Sequence, residues 1–193
     1  MDKRLLFGSL GVAVAVIVGV TIATANSNDT AAPVGSIDDV TLTSGNDLSP
    51  TIGTNAAVTG KSLPHVDVQT LAGDAFATSD LVGRPLVINF WYSGCLPCKK
   101  ELPAFAAVQA ALGDRVRIVG VDALPASATE EAFARDNGVQ YELFYDTNGE
   151  LTSAVGVAAF PQTLFVDAKG TIVDQTGELT ADKLESLIRT KLL

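Results

Sequence analysis

Leu86-Val87-Ile88-Asn89-Phe90-Trp91-Tyr92-Ser93-Gly94-Cys95-Leu96-Pro97-Cys98 is the stretch from which the rest of this chain is read. Leu86 to Trp91 is a short apolar run suited to a central buried strand. Beyond Cys98, residues Leu102, Phe105, Ala106 and Leu112 keep helical spacing up to Gly113. Cys95 and Cys98, the only cysteines, therefore form a dithiol at a strand-to-helix turn. Two sulfurs so close in sequence cannot staple distant parts of a fold, so their value lies in cycling between dithiol and disulfide. A structural zinc site takes four N or S ligands, and the only histidine, His65, is 30 residues upstream of Cys95, so half a ligand set is missing. A purely structural disulfide with two residues inside its loop gains little chain entropy and is easily reduced.

The chemistry of exchange needs a thiolate, and an ordinary cysteine is mostly protonated at neutral pH. At the start of a helix, Cys95 meets free amides and the positive end of the dipole, both of which favour an anion. Cys95 is thus expected to attack a partner's disulfide, and Cys98, one turn along and more shielded, to resolve the mixed disulfide. Pro97 suits the first helical turn, where its missing amide costs nothing and its ring restricts the spacing of the sulfurs. Pro103 lies deeper in the same helix, removes one amide and should bend it.

With 193 residues and 47% hydrophobic content, the chain has enough material for one globular domain plus extra segments. The formal charge of -9, with 13 basic residues scattered and no basic stripe, argues against a nucleic acid partner. Leu5 to Ala25 is a run of 21 residues without charge, preceded by Lys3 and Arg4. As a helix it spans about 30 Å, the thickness of a bilayer core. No Lys or Arg appears after it until Lys61, so the positive-inside bias keeps the N-terminus in the cytoplasm and exports the remainder of the chain. The expected arrangement is a single-pass anchor (1–25) in a bacterial cell membrane with an extracytoplasmic redox domain. Ala23-Thr24-Ala25 offers a competing signal-peptide cleavage site, which would release the domain as a secreted protein.

Residues 26–61, rich in Ser, Thr, Gly, Asn, Asp, Ala and Pro, read as a flexible linker with no aromatic residue, although Ile37 to Leu42 offers a possible strand. The domain proper, 62–193, alternates strand-like and helix-like stretches. Val66 to Leu71 and the Ala72-Gly73-Asp74 turn predict a hairpin entry, and Arg117 to Val121 the strand after the first helix. Ser127-Ala128-Thr129-Glu130 has capping-box spacing and opens a short helix that stops at Asn137-Gly138; Tyr141 to Tyr145 is strand-like. Leu151 and Val155 fit another short helix, Thr163 to Val166 and Thr171 to Val173 a hairpin, and Leu184, Leu187, Ile188 and Leu192 a terminal helix. This order predicts an α/β fold whose mixed central sheet is flanked by helices, with an inserted helix-strand unit.

The segment Val87 to Pro103, with Gly156-Val157-Ala158-Ala159-Phe160-Pro161-Gln162-Thr163-Leu164-Phe165-Val166-Asp167 downstream, resembles the TlpA/ResA-like (redoxin/DsbE-like) thioredoxin family. The resemblance implies a thioredoxin-like fold and a membrane-tethered disulfide reductase, of which many serve bacterial cytochrome c maturation. It implies no cofactor beyond the Cys95-Cys98 pair, exported protein thiols or disulfides as substrates, and a membrane thiol-electron donor as partner. It also implies a cis bond at Phe160-Pro161 in a loop that offers backbone groups to an extended substrate, whereas the sequence alone would predict trans, since only about 5 to 6% of X-Pro bonds are cis. Trp91 and Pro97 would border the same substrate-facing surface as Phe160 and Pro161, with Trp91 also serving as core and active-site wall. Thioredoxins keep a buried Asp six residues before the first Cys; Asn89, which cannot titrate, stands there. Glu101 matches a carboxylate that these proteins place near the dithiol, so it is the candidate proton partner of Cys98, against the reading of an exposed helix Glu beside Lys99 and Lys100. Gly94 stands where the family usually carries a second aromatic residue.

Three other functions fit parts of the pattern. The same dithiol could install disulfides, because direction is set by potential. Two thiolates suit Cu(I), making a copper metallochaperone conceivable, but such proteins of related fold space their cysteines one residue wider and add a downstream His. A peroxidase would want Thr or Ser three residues before its reactive Cys, where this chain has Tyr92.

Overall fold

The computed structural model describes residues 54–193. The expected membrane segment 1–25 and the expected linker up to residue 53, with the candidate strand at Ile37 to Leu42, lie outside the described residues.

The apolar run is the strand β3 (Leu86–Trp91), in which all six residues are buried. A strand covered on both faces needs such an unbroken run rather than alternation. Seven strands form one mixed sheet: β1 (Asp67–Gln69), β2 (Ala75–Ala77), β3, β4 (Arg117–Asp122), β5 (Glu142–Tyr145), β6 (Gln162–Val166) and β7 (Ile172–Thr176), in the spatial order β2-β1-β5-β4-β3-β6-β7. β3 pairs parallel with β4, from Leu86 opposite Arg117 to Trp91 opposite Asp122, and antiparallel with β6, from Leu86 opposite Val166 to Phe90 opposite Gln162. β5, the strand of the expected insertion, continues the parallel pairing beside β4. Both sheet edges are hairpins, β1-β2 on one side and β6-β7 on the other. β7 runs to Thr176, three residues beyond the predicted strand.

The helices are α1 (Leu96–Leu112), α2 (Ala128–Asp136), α3 (Glu150–Ala154) and α4 (Ala181–Lys191). On α1, Cys98, Glu101, Leu102, Phe105, Val108 and Leu112 are buried, a stripe at helical spacing that runs past Pro103 without interruption. One core layer joins Val87 and Trp91 of β3 to α1, α4 and the Ala134 face of α2; the other joins Leu86, Ile88 and Phe90 to Leu151, Val155 and Leu164. Each fully buried Leu, Ile or Phe in these layers contributes about 1.5 to 3 kcal/mol.

The N-terminal boundary of the packed body lies earlier than expected. Residues 54–61 are assigned to the linker by composition, yet Val58 is only 3% exposed in the second core layer. The Ala56 amide donates to the Gly156 carbonyl at 2.8 Å, Gly60 donates to Ile172 at 2.7 Å, and Ile172 donates back to Lys61 at 2.9 Å. One apolar residue among small polar ones has no period to read, and its partners lie about a hundred residues away in the chain.

Candidate active site

Cys95 and Cys98 are joined as a disulfide, with their Cα atoms 5.2 Å apart. Cys95 is the N-cap of α1: its backbone is extended, its Sγ accepts the Cys98 amide at 3.1 Å, and its carbonyl accepts the Lys99 amide at 3.1 Å. No acidic residue lies in the first turn to offset the positive helix end. Cys98 is wholly buried and Cys95 is 4% exposed, while Leu96 beside it is 73% exposed and Gly94 is open. A large partner can therefore approach Cys95 and cannot reach Cys98.

The Phe160-Pro161 bond is cis. Pro161 leads directly into β6, whose Gln162 is paired with Phe90 on the strand that carries the dithiol turn. The Phe160 ring meets Tyr92 edge-on with centroids 5.3 Å apart, so the two loops touch through aromatic residues. A side chain at Gly94 would put its Cβ 3.0 Å from the Tyr92 ring, so Tyr92 fills the space beside the position where the family usually has an aromatic. Pro97 is half-buried in the first turn of α1. Trp91 departs from the expectation that it borders a substrate: it is wholly buried, with its indole stacked on the Phe133 ring of α2 at 5.7 Å. Its place is under the turn because β3 alternation points it into the core layer that holds α1.

Glu101 is 1% exposed, which overturns the reading of a solvated helix residue. One carboxylate oxygen accepts Asn89 Nδ2 at 2.7 Å and the other accepts the Leu179 amide at 3.0 Å. Burial pushes its pKa from 4.5 up to about 7, the two hydrogen bonds opposing that rise and the charge of Glu178 adding to it. Asn89 Nδ2 also reaches Thr163 Oγ1 at 3.3 Å, while Asn89 Oδ1 has no partner. The strand position that cannot titrate is thus bonded to a carboxylate supplied by α1, one helical turn beyond Cys98.

Two further buried carboxyls, Asp122 and Glu130, form a pair, and the sequence marks only Glu130, as part of a capping box. Asp122 ends β4 opposite Trp91, is wholly buried, and accepts the Leu124 amide at 2.8 Å with one oxygen while the other has no partner. Burial raises its pKa from 3.8 to about 8, with the neighbouring Glu130 carboxylate adding to the rise. Glu130 accepts both the Ser93 amide, at 3.0 Å, and the Ser93 hydroxyl, at 2.5 Å, which ties the turn before Cys95 to α2. The capping box is half formed: Ser127 Oγ accepts the Glu130 amide at 3.2 Å, but the Glu130 side chain turns to Ser93 instead of reaching back.

The sign of the Asp122 effect is fixed by its raised pKa. Between about pH 4 and pH 8 the folded protein holds a proton that the unfolded chain has released, so Asp122 lowers stability as pH rises through that window. Asp122→Asn keeps an acceptor for Leu124 and removes the titration. Its melting temperature is expected to fall less than the wild type's between pH 5 and pH 8, by roughly 5 °C or more. Parallel melting curves would show that Asp122 does not hold a proton.

Among the described residues, no group of three or more His, Cys, Asp or Glu is placed to hold a metal ion. The family model described as AhpC/TSA family matches residues 59–175. The thioredoxin-like protein YneN of Bacillus subtilis (strain 168) is 29% identical over 130 residues, covering 65% of this chain and 76% of that protein. The thiol-disulfide oxidoreductase ResA of Bacillus thuringiensis (strain Al Hakam) is 28% identical over 132 residues, covering 67% and 76%. The structure of MTB dsbF, in mixed oxidized and reduced forms, superposes with a TM-score of 0.59 at 29% identity, over 65% of this chain and 93% of that one. A redox-capable cysteine pair on a thioredoxin-like fold, among relatives of this kind, makes the protein a thiol-disulfide oxidoreductase, and the chain belongs to the AhpC/TSA family.

Proposed function

We propose that the protein reduces disulfides in exported proteins from the extracytoplasmic face of the membrane, anchored by Leu5 to Ala25. The observation that carries this reading is the asymmetry of the two sulfurs. Cys95, 4% exposed, caps the helix between the exposed Gly94 and Leu96, and Cys98 is wholly buried.

In the reduced protein, the Cys95 thiolate, whose own proton has gone to solvent, attacks one sulfur of the substrate disulfide, forming a mixed disulfide and expelling a substrate thiolate that takes up a proton from solvent. Cys98 then gives its proton to Glu101, attacks Cys95 Sγ and expels the second substrate thiolate, to which that proton is finally delivered. The balance is two electrons and two protons to the substrate and one new bond between Cys95 and Cys98. Glu101 suits this role because a base near neutrality can both accept and return a proton at the working pH. A membrane thiol donor would restore the dithiol by the reverse exchange. Phe160 and its neighbours, beside the dithiol turn, would pair with the extended substrate chain. The finer client class is a protein with its own closely spaced cysteines, such as the Cys-x-x-Cys-His site of an apocytochrome c, which the likeness to TlpA/ResA-like proteins favours.

Equilibrating the protein with glutathione buffers tests the direction. A reductase is expected to have a potential at or below about -230 mV, and a value near -120 mV would make the protein an oxidant.

A further inference from the structure

We propose that Asn55 is a positioning residue for the loop that rims the active site, so that the segment entering the domain supports the docking of protein substrates and not the exchange step at the sulfurs. The proposal rests on the disulfide-exchange reading above. Asn55 Oδ1 accepts the amides of Ala158 at 2.7 Å and Ala159 at 2.8 Å; its Nδ2 donates to the Ala159 carbonyl at 3.0 Å and to Gln162 Oε1. An asparagine amide has two donors and one oxygen with two lone pairs, so these four bonds use its whole capacity. Aspartate would keep only the accepted bonds, and glutamine would be one methylene too long.

The loop needs an outside support. It lies between α3 and β6, and in Gly156-Val157-Ala158-Ala159 it has only small or short side chains, with Ala158 and Ala159 exposed. It nevertheless carries Phe160, which touches Tyr92 of the dithiol turn, and Pro161. Asn55 is itself held in place. Val58 is buried in the core, its amide donates to Gln175 Oε1 at 2.6 Å, and Gln175 Nε2 donates to the Ala56 carbonyl at 2.9 Å. Segment and loop meet so closely that a Cβ at Gly156 would lie 2.5 Å from that of Ala56, and Gly156 has φ of +63°.

Fixing a loop residue costs about 1 to 2 kcal/mol of backbone entropy, and a loop already fixed spares the substrate complex that cost. A protein substrate, which must lie along the rim, gains from this; a small disulfide that needs only Cys95 does not. The full protein is therefore assayed with two probes, insulin and hydroxyethyl disulfide, with dithiothreitol as the reductant. Asn55→Ala is expected to lower kcat/KM for insulin about tenfold, mainly through KM, and to leave the hydroxyethyl disulfide rate within about twofold. Asn55→Asp, which keeps both accepted bonds, is expected between wild type and Asn55→Ala, and it carries the same comparison should the alanine variant not fold. An insulin effect below about twofold in both variants, or equal loss with both disulfides, overturns the positioning role. A wild type that reduces neither probe would instead overturn the exchange reading itself.

Discussion

The Cys98→Ser variant is expected to stop after half a turnover and to accumulate as a covalent complex with its substrate. Cys95 would still attack, because its place at the N-cap of α1, between the exposed Gly94 and Leu96, does not depend on the second sulfur. Resolution requires a thiolate against Cys95 Sγ, and a serine hydroxyl of nearly the same size cannot displace a disulfide sulfur. A non-reducing gel should show a band at the summed mass of protein and substrate that disappears with dithiothreitol, while steady-state turnover falls to background. Cys95→Ser should give neither band nor turnover, since Cys98 is wholly buried and out of a protein partner's reach. The pair of variants tests the division of labour. If Cys95→Ser captures substrate as fast as Cys98→Ser, the division of labour between the two sulfurs fails.

The dithiol turn was legible because it combines signals at short range: an unbroken apolar run, a Ser-Gly break, two cysteines and a helical stripe within 27 residues. The same local logic located the β1-β2 hairpin, the Ser127 cap of α2 and the inward face of α4 with Leu184 and Ile188. What stayed hidden depends on partners distant in the chain. Glu101 sits next to two lysines, which reads as a solvated face. Its burial comes from the stripe it shares with Cys98 and Leu102, and its second hydrogen bond comes from Leu179, 78 residues away. Glu130 matched a local capping motif well enough to conceal its bonds to Ser93, 37 residues earlier. Asp122 lies one residue past the predicted strand Arg117 to Val121, and only the parallel register sets it opposite Trp91. Asn55 lies in a Ser, Thr, Gly and Asn-rich stretch whose composition predicts a coil, and its bonds cross more than a hundred residues. In each case the chemistry of the residue was visible and its neighbour was not.

Glu101→Gln should separate the proton's contribution from that of the thiols. If Glu101 takes the proton from Cys98, losing it is expected to slow turnover by about a hundredfold, within the usual range for a general base. The Cys98 titration should lose its inflection near pH 7, where Glu101 itself titrates. Glutamine fits the site without breaking it: its oxygen can accept the Leu179 amide and its NH2 can donate to Asn89 Oδ1, which has no partner in the present arrangement. Stability offers an independent readout with a definite sign. The carboxyl is raised from 4.5 to about 7, so between those values the folded protein keeps a proton that the unfolded chain has lost. Wild-type stability therefore declines as pH rises through that window, by about 3 kcal/mol at 1.36 kcal/mol per pKa unit, and levels off above it apart from the contribution of Asp122. The glutamine variant should lack this decline while keeping the one from Asp122, which extends to about pH 8. A variant that turns over at the wild-type rate with an unchanged Cys98 profile would remove Glu101 from the mechanism and leave water as the proton acceptor.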